Sequence, residues 1–102
     1  GSIGYGHGLK PGEPGQFHVA PGASYSAWCH EYKHFCDDRA NGYLGTKEAT
    51  NNIPRRMRME SDAYQVEIDI AKEANRPDIV ERLERLRDKE ILRISAKGGP
   101  VW

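Results

Sequence analysis

The sequence lacks the features that place a chain in a membrane or build it on disulfide bonds. No segment approaches the roughly 18 consecutive apolar residues of a membrane-spanning helix, and no signal-peptide pattern is present. There are only two cysteines, Cys29 and Cys36. If they share one helix, their Cα atoms are about 10 Å apart, which is too far for a disulfide. We therefore expect reduced cysteines, which are typical of a cytoplasmic site of action.

A net charge is also absent, because 15 Lys and Arg balance 15 Asp and Glu. A nucleic-acid-binding surface needs a surplus of basic residues on one face. The one basic cluster, residues 55–58, is too short to supply it and is more typical of a solvated helix start or a partner contact. We therefore expect no nucleic acid and no membrane among the partners. The length of 102 residues fits a single domain over residues 1–102.

The predicted elements are mostly helical. Glycine and proline are concentrated near the N-terminus, and residues 1–15 are predicted to form an irregular lead-in. Residues 16–20 alternate polar and apolar side chains, which predicts one short strand. Helical periodicity and helix-ending signals predict three helices, over residues 24–39, 55–74 and 77–92. Ser24 is the predicted N-cap of the first helix, and residues 93–102 form a tail. The expected fold is a small α+β domain with three helices and a short β-sheet.

The first predicted helix carries a His-Glu-x-x-His motif at residues 30–34. Its apolar arc contains Trp28, Cys29, Tyr32, Phe35 and Cys36. His30 and His34 lie off this arc, one turn apart on one face, so both imidazoles can reach one Zn²⁺ ion. Glu31 is rotated by about 100° from His30, which places it beside the metal rather than on it. There it can take a proton from bound water, whose pKa zinc lowers to about 7.

A catalytic zinc normally has three protein ligands and one open position. The third ligand cannot be a histidine six residues after His34, because residue 40 is Ala40. Asp38, one turn beyond His34, is one candidate, as a ligand or as an orienting partner of a ligand. Helical geometry favours Glu60, because it and Glu67 fall on the apolar arc of the second helix, where an unpaired carboxylate is costly. Glu67 is then the orienting or ion-pairing residue.

Three further residues have weaker signals. Tyr64 lies one turn from Glu60 and can donate a hydrogen bond to a developing oxyanion, or it can be an ordinary core tyrosine. His7 and His18 are lone histidines on a predicted loop and strand, a placement more typical of structural or solvated side chains.

These motifs resemble the zincin metallopeptidases of the gluzincin kind, in which a second helix bears a glutamate ligand, often as Glu-x-x-Ala. Here that sequence is Glu60-Ser61-Asp62-Ala63. More narrowly, the chain looks like small zincin-like domains of bacterial polymorphic toxins and phage-associated proteins, through Pro21-Gly22-Ala23-Ser24, His30-Glu31-Tyr32-Lys33-His34-Phe35, Asp37-Asp38-Arg39 and Gly42-Tyr43. The resemblance covers residues 16–75. It implies a peptide or protein substrate that pairs with the strand at 16–20 and, for a toxin, an immunity protein as partner.

The expected function is therefore that of a zinc metallopeptidase. His30, His34 and Glu60 hold the metal, Glu31 activates water and later protonates the leaving amine, and Tyr64 assists. One alternative is a catalytically inactive binding module on the same scaffold, which would keep metal without turnover. Another is an interaction domain without metal, whose thermal stability a chelator would leave unchanged.

Overall fold

A computed structural model describes residues 3–97. This part of the chain contains two strands and four helices, which are β1 (Ile3–Gly6), β2 (Gln16–Val19), α1 (Tyr25–Ala40), α2 (Thr46–Asn51), α3 (Ile53–Glu73) and α4 (Pro77–Lys97). The architecture is thus α+β, with one short helix, α2, that the sequence pattern did not predict. Within residues 3–97, no helix combines the length and apolar character that a bilayer crossing requires. The ends of the predicted lead-in and tail, residues 1–2 and 98–102, lie outside the described residues.

The lead-in predicted to be irregular contains strand β1. It pairs antiparallel with β2, so that Ile3 lies opposite Val19 and Gly6 opposite Gln16. The Tyr5 ring packs 5.2 Å from the ring of Phe17. The prediction for residues 1–15 is therefore wrong for this segment, because aromatic packing and strand pairing stabilise a glycine-rich sequence with low intrinsic strand propensity.

The remainder of the lead-in is fixed against the loop that follows α1. The Gly12 amide donates to the Tyr43 carbonyl at 2.7 Å, and the Thr46 amide donates to the Gly8 carbonyl at 2.8 Å. Gly45 is buried at this junction with a φ of +81°, and a Cβ there would lie 2.9 Å from the backbone nitrogen of Pro11. Only glycine fits that conformation and that space without strain. The loop thereby holds the β-hairpin at the C-terminal end of α1.

Helix α1 starts as predicted, since the Ser24 hydroxyl accepts a hydrogen bond from the Ala27 amide at 3.1 Å. Its burial differs from a simple amphipathic pattern. The residues buried most deeply are His30 and Asp38, at 7% and 0% exposure, whereas Trp28 and Tyr32 of the apolar arc are 38% and 52% exposed. The reason is that α1 packs between β1 on one side and α3 on the other. Its polar face is therefore an internal surface.

Helices α3 and α4 form an antiparallel pair that holds the main apolar core. Ile68, Ala71 and Leu83 are its buried centre, with Tyr64, Ile79 and Val80 packed around them. Helix α3 starts at an Asn52 cap, whose side-chain oxygen accepts from the Arg55 amide at 3.1 Å. Helix α4 continues beyond the predicted end at Leu92 to Lys97, because Ile94 is buried and only 1% exposed. The expectation that Cys29 and Cys36 are not joined is confirmed, since both are free.

Candidate metal centre

Three side chains from α1 and α3 converge at the interface of these two helices. His30 Nε2 lies 2.9 Å from Glu60 Oε1, and His34 Nε2 lies 3.1 Å from Glu60 Oε2. The two Nε2 atoms are 3.2 Å apart. His30, His34 and Glu60 are the group of residues in the described chain whose ligand atoms lie close enough together to hold a metal ion. The structure thus brings together the three residues that the sequence assigned as ligands.

The spacing of these donor atoms fits one small ion. Zinc bonds to nitrogen and oxygen are about 2.0–2.1 Å long, so tetrahedral ligands lie about 3.3 Å apart. The two Nε2 atoms are 3.2 Å apart, and each lies 2.9 or 3.1 Å from one of the two Glu60 oxygens, so only small adjustments are needed to reach that value. Two imidazoles and one carboxylate also form a donor set that divalent transition metals accept. The residues present therefore fit a metal ion.

The hydrogen bond on the other side of His30 strengthens this fit. Nδ1 of His30 lies 2.8 Å from Glu67 Oε2, and a carboxylate can only accept, so Nδ1 carries the proton. In a neutral His30, the Nε2 lone pair then faces a Glu60 oxygen at 2.9 Å. Two lone pairs at that distance repel each other unless a cation lies between them. The site consequently needs either an extra proton or a metal ion.

Glu67 has the place that the sequence reasoning gave it, beside a ligand rather than among the ligands. It orients the His30 ring through Nδ1, and its second oxygen accepts from the Ser26 hydroxyl at 2.9 Å. A carboxylate on the outer nitrogen fixes the tautomer of a metal-binding histidine and raises its basicity. The contact therefore presents His30 Nε2 to the site with its lone pair inward.

In the metal-free protein the extra proton resides on His30. Burial disfavours the imidazolium, but hydrogen bonds to Glu60 and Glu67 outweigh burial and raise the pKa of His30 from 6.5 to about 9. Burial likewise disfavours the Glu60 carboxylate, but the hydrogen bonds from His30 and His34 outweigh it and lower the Glu60 pKa from 4.5 to about 2. Without metal, the pair is thus an imidazolium held by carboxylates at neutral pH.

These pKa values predict how the metal-free protein responds to pH. A raised His30 pKa stabilises the fold below pH 6.5, and this contribution is lost as the pH rises through about 9. The loss is worth up to about 3 kcal/mol, since one pKa unit corresponds to about 1.4 kcal/mol. We expect the melting temperature of chelator-treated protein to fall over this interval, and the fall to be much smaller in a His30→Gln variant. An equal fall in both proteins would contradict the assignment.

Metal binding should show the opposite dependence. The ion competes with the His30 proton for Nε2, so zinc affinity should increase as the pH rises toward about 9. Titration calorimetry in buffers of different ionisation enthalpy should detect about one proton released per ion bound near neutral pH. Binding without proton release would place the ion on other groups.

Glu31 lies on the wall of a cleft of about 350 Å³ that His34 and Glu60 also line. One of its oxygens accepts from the Tyr5 backbone amide at 3.0 Å, which anchors the carboxylate to β1. Burial raises the Glu31 pKa, although the nearby histidines lower it in part. A carboxylate whose pKa is raised is better matched to proton transfer near neutral pH. Glu31 is thus close to the candidate ligands without being one of them.

The strand along this cleft is β1 and not the one predicted. Gly4 and Tyr5 line the cleft, whereas β2, which corresponds to the predicted strand at residues 16–20, lies on the far side of β1. The Tyr5 amide points to Glu31 rather than to β2, so the outer edge of β1 faces α1 and the cleft. The expectation that residues 16–20 pair with a peptide is therefore corrected, because the hairpin places β1 between them and the site.

Asp38, the other candidate third ligand, is committed elsewhere. It is fully buried, its Oδ2 accepts from the Tyr5 hydroxyl at 2.6 Å, and its Oδ1 accepts from the Leu44 amide at 3.0 Å. Burial and the bond to Asp38 raise the pKa of Tyr5 to about 12. His7 Nδ1 lies 3.2 Å from the same carboxylate, off the direction of a well-formed hydrogen bond. Asp38 thus joins the hairpin and the α1–α2 loop to α1.

Tyr64 does not reach the cleft. Its ring lies edge-on to His30, with centroids 4.6 Å apart at 84°, and it packs against the core between α3 and α4. The side chains that line the cleft do not include it. Tyr64 thus supports the His30 ring from the side, and its role in catalysis stays a prediction.

Two residues that sequence reasoning left aside do line the cleft, namely His7 and Arg56. His18, the other lone histidine, is exposed on β2, as expected for a solvated side chain. Nothing in the sequence separates His7 from His18, because the pairing of β1 with β2 and the position of Asp38 are tertiary features. Arg56 has a local signal, since it lies four residues before Glu60 and therefore on the same side of α3.

Comparison with known proteins adds no relative. No protein-family model, no curated protein and no solved structure matches this chain. The chemistry of the cleft has to be inferred from its own residues.

Proposed function

We propose that this protein is a zinc-dependent peptidase with a small zincin-like fold. The observation that carries the proposal is the convergence of His30, His34 and Glu60 beside a cleft that His34, Glu60 and Glu31 line. A helix with His-Glu-x-x-His and a second helix with a glutamate are the parts that the resemblance to gluzincins implies and that lie together here. Metal binding alone would not need Glu31 at that position.

The same donor set, two histidines and one carboxylate, also occurs around non-haem iron(II). Glu31 favours hydrolysis over oxygen chemistry, because it supplies a proton acceptor beside the ligands. When bound, zinc supplies Lewis acidity, which activates water and polarises a carbonyl group. Glu31 accepts the proton of the attacking water and returns it to the amine that leaves. Its bond to the Tyr5 amide keeps the carboxylate oriented during both transfers.

His7, which lines the cleft, is a second candidate beside Tyr64 for the group that stabilises the oxyanion. Its Nδ1 faces the buried Asp38, which leaves Nε2 as the ring nitrogen available to a substrate in the cleft. A histidine donor is suited to stabilise the negative charge that develops on the carbonyl oxygen.

The substrate in this proposal is an extended segment of peptide or protein. The outer edge of β1 borders the cleft. Since Glu31 already holds the Tyr5 amide, a chain that adds alongside would pair with the other backbone groups of this edge. Such pairing binds a peptide through its backbone, so most of its side chains contribute little to specificity. It would align the peptide bond across the cleft between β1 and the ligand residues of α1 and α3.

A mixture of peptides tests the proposal without knowledge of the natural substrate. We expect the zinc-loaded protein to cleave part of a proteome-derived peptide library, a chelator to stop cleavage, and added zinc to restore it. Mass spectrometry of the new ends identifies the bonds that are cut. A protein that binds zinc and cuts no peptide would be the inactive binding module instead, and one that cuts equally well in chelator would not be a metallopeptidase.

A further inference from the structure

The cleft contains a cation whose partner is absent from the described chain. Arg56 lines the cleft together with His34 and Glu60. Its Nη1 atom is shielded from solvent and has no hydrogen-bond partner among residues 3–97. Native proteins rarely keep a shielded polar group unpaired, and one that remains so needs an explanation. Because Nη1 is closed to solvent, a molecule bound in the cleft would pair with it once the Arg56 side chain moved toward the cleft.

The carboxylates around Arg56 already have partners of their own. Glu60 faces the two histidines, and Glu31 accepts from the Tyr5 amide. Glu90, which also lines the cleft, is held by Arg93 through both oxygens. The bonds to Arg93 outweigh burial and lower the Glu90 pKa. The acidic groups of the cleft therefore do not take up the Arg56 guanidinium by hydrogen bonding.

The neighbouring arginines of α3 show that this situation is particular to Arg56. Arg55 Nη2 lies 2.6 Å from Glu48 Oε1, so it has a partner within the chain. Arg58 is exposed and does not line the cleft. The basic cluster at residues 55–58, which the sequence suggests is solvated, thus points one of its members inward.

The position of Arg56 relative to the ligands defines the distance to a substrate group. Arg56 and Glu60 are four residues apart on α3, so their Cβ atoms lie about 6 Å apart. An extended peptide advances about 3.5 Å per residue. The arginine side chain extends several ångströms beyond its Cβ, so a substrate group that pairs with Arg56 lies within a few residues of the bond placed at the ligands.

We propose that Arg56 binds a carboxylate of the substrate, carried within a few residues of the scissile bond. The inference rests on the proposed function for the position of that bond. A guanidinium pairs with a carboxylate through two parallel hydrogen bonds, which gives both affinity and orientation. The carboxylate can be an acidic side chain or the free C-terminus of a peptide, and both present the same group to Arg56.

Peptide pairs that differ only in one carboxylate test the inference by binding. The probes are N-acetyl-Ala-Ala-Glu-amide with its Gln counterpart, and N-acetyl-Ala-Ala as free acid with its amide. Dissociation constants are measured by NMR titration of the full chain carrying Glu31→Gln, with and without zinc. In the proposed mechanism Glu31→Gln prevents cleavage of the peptide, so the titration measures binding only.

We expect at least one acid to bind roughly tenfold more tightly than its amide, as a charge-assisted hydrogen bond implies. Arg56→Gln should remove the difference, Arg56→Lys should keep part of it, and Arg58→Gln should leave it intact. The Glu and Gln peptides test whether Arg56 binds a side-chain carboxylate. The free acid and the amide of N-acetyl-Ala-Ala test whether it binds a C-terminal carboxylate. Equal binding within both pairs, or a difference that survives Arg56→Gln, would overturn the inference.

The outcome is separable from that of the proposed function. Cleavage by the wild-type protein without any preference for a carboxylate would keep the peptidase and overturn the role of Arg56. A carboxylate preference that depends on Arg56, in a protein that cleaves nothing, would support this binding site and count against the peptidase.

Discussion

Replacing Glu31 by glutamine is expected to abolish peptide hydrolysis while the protein keeps its fold and its zinc. The loss should be at least about 100-fold and up to about 10,000-fold in kcat, the range over which a general base contributes. Glutamine has the same shape but cannot accept a proton at neutral pH. Its amide oxygen can still accept the bond from the Tyr5 amide, so the hairpin stays in place. The measurement is the rate of cleavage of a peptide found in the library screen.

The matched control is Glu73→Gln, because Glu73 is an exposed residue near the end of α3 and away from the cleft. It removes the same charge and should leave both the rate and the zinc content unchanged. A Glu31→Gln protein that still cleaves at the wild-type rate would remove Glu31 from its role. A variant that loses zinc as well would show that Glu31 supports the metal.

Replacing Glu60 by glutamine is expected to have the largest effect on metal binding. Loss of a residue that only orients a ligand already costs about 10–100-fold in affinity, so loss of a ligand should exceed about 100-fold. Glutamine preserves the volume at the α1–α3 interface but removes the charge that balances the ion. Competition with a chromogenic chelator measures the zinc affinity of the variant and of the wild-type protein.

Glu90→Gln is the control for this experiment, since Glu90 lines the same cleft but is held by Arg93. Its affinity for zinc should stay within a few-fold of the wild-type value. Unchanged affinity in Glu60→Gln would mean that another group completes the site. Asp38 would then return as the third ligand, although its bonds to Tyr5 and Leu44 would first have to break.

The three candidate ligand residues could be predicted from the sequence because helical geometry is local. His30 and His34 share a face by their spacing alone, and Glu60 is conspicuous as a carboxylate on an apolar arc. The Ser24 cap was predicted for the same reason, as cap and helix are adjacent in the chain. The histidine pair and the Ser24 cap each involve residues within about one turn of helix. The position of Glu60 follows from the face of a single helix.

Strand β1 and the walls of the cleft could not be found in this way. The strand has glycine at two of its four positions, and what stabilises it comes from distant residues, notably Phe17 and Asp38 acting on Tyr5. His7 and Arg56 acquire their positions only when the hairpin and α1 pack beside α3. The short helix α2 has no side-chain cap and little burial, so no local pattern marks it.

The metal content of the purified protein is the measurement that tests the central claim most directly. The protein is prepared without a metal-affinity step and analysed by mass spectrometry of its elements. We predict about one zinc per chain, bound in the wild-type protein and lost in the Glu60→Gln variant. Iron at that stoichiometry would contradict the assignment of the site to zinc. A protein that contains no metal, and takes up none when zinc is added, would contradict the metal centre itself.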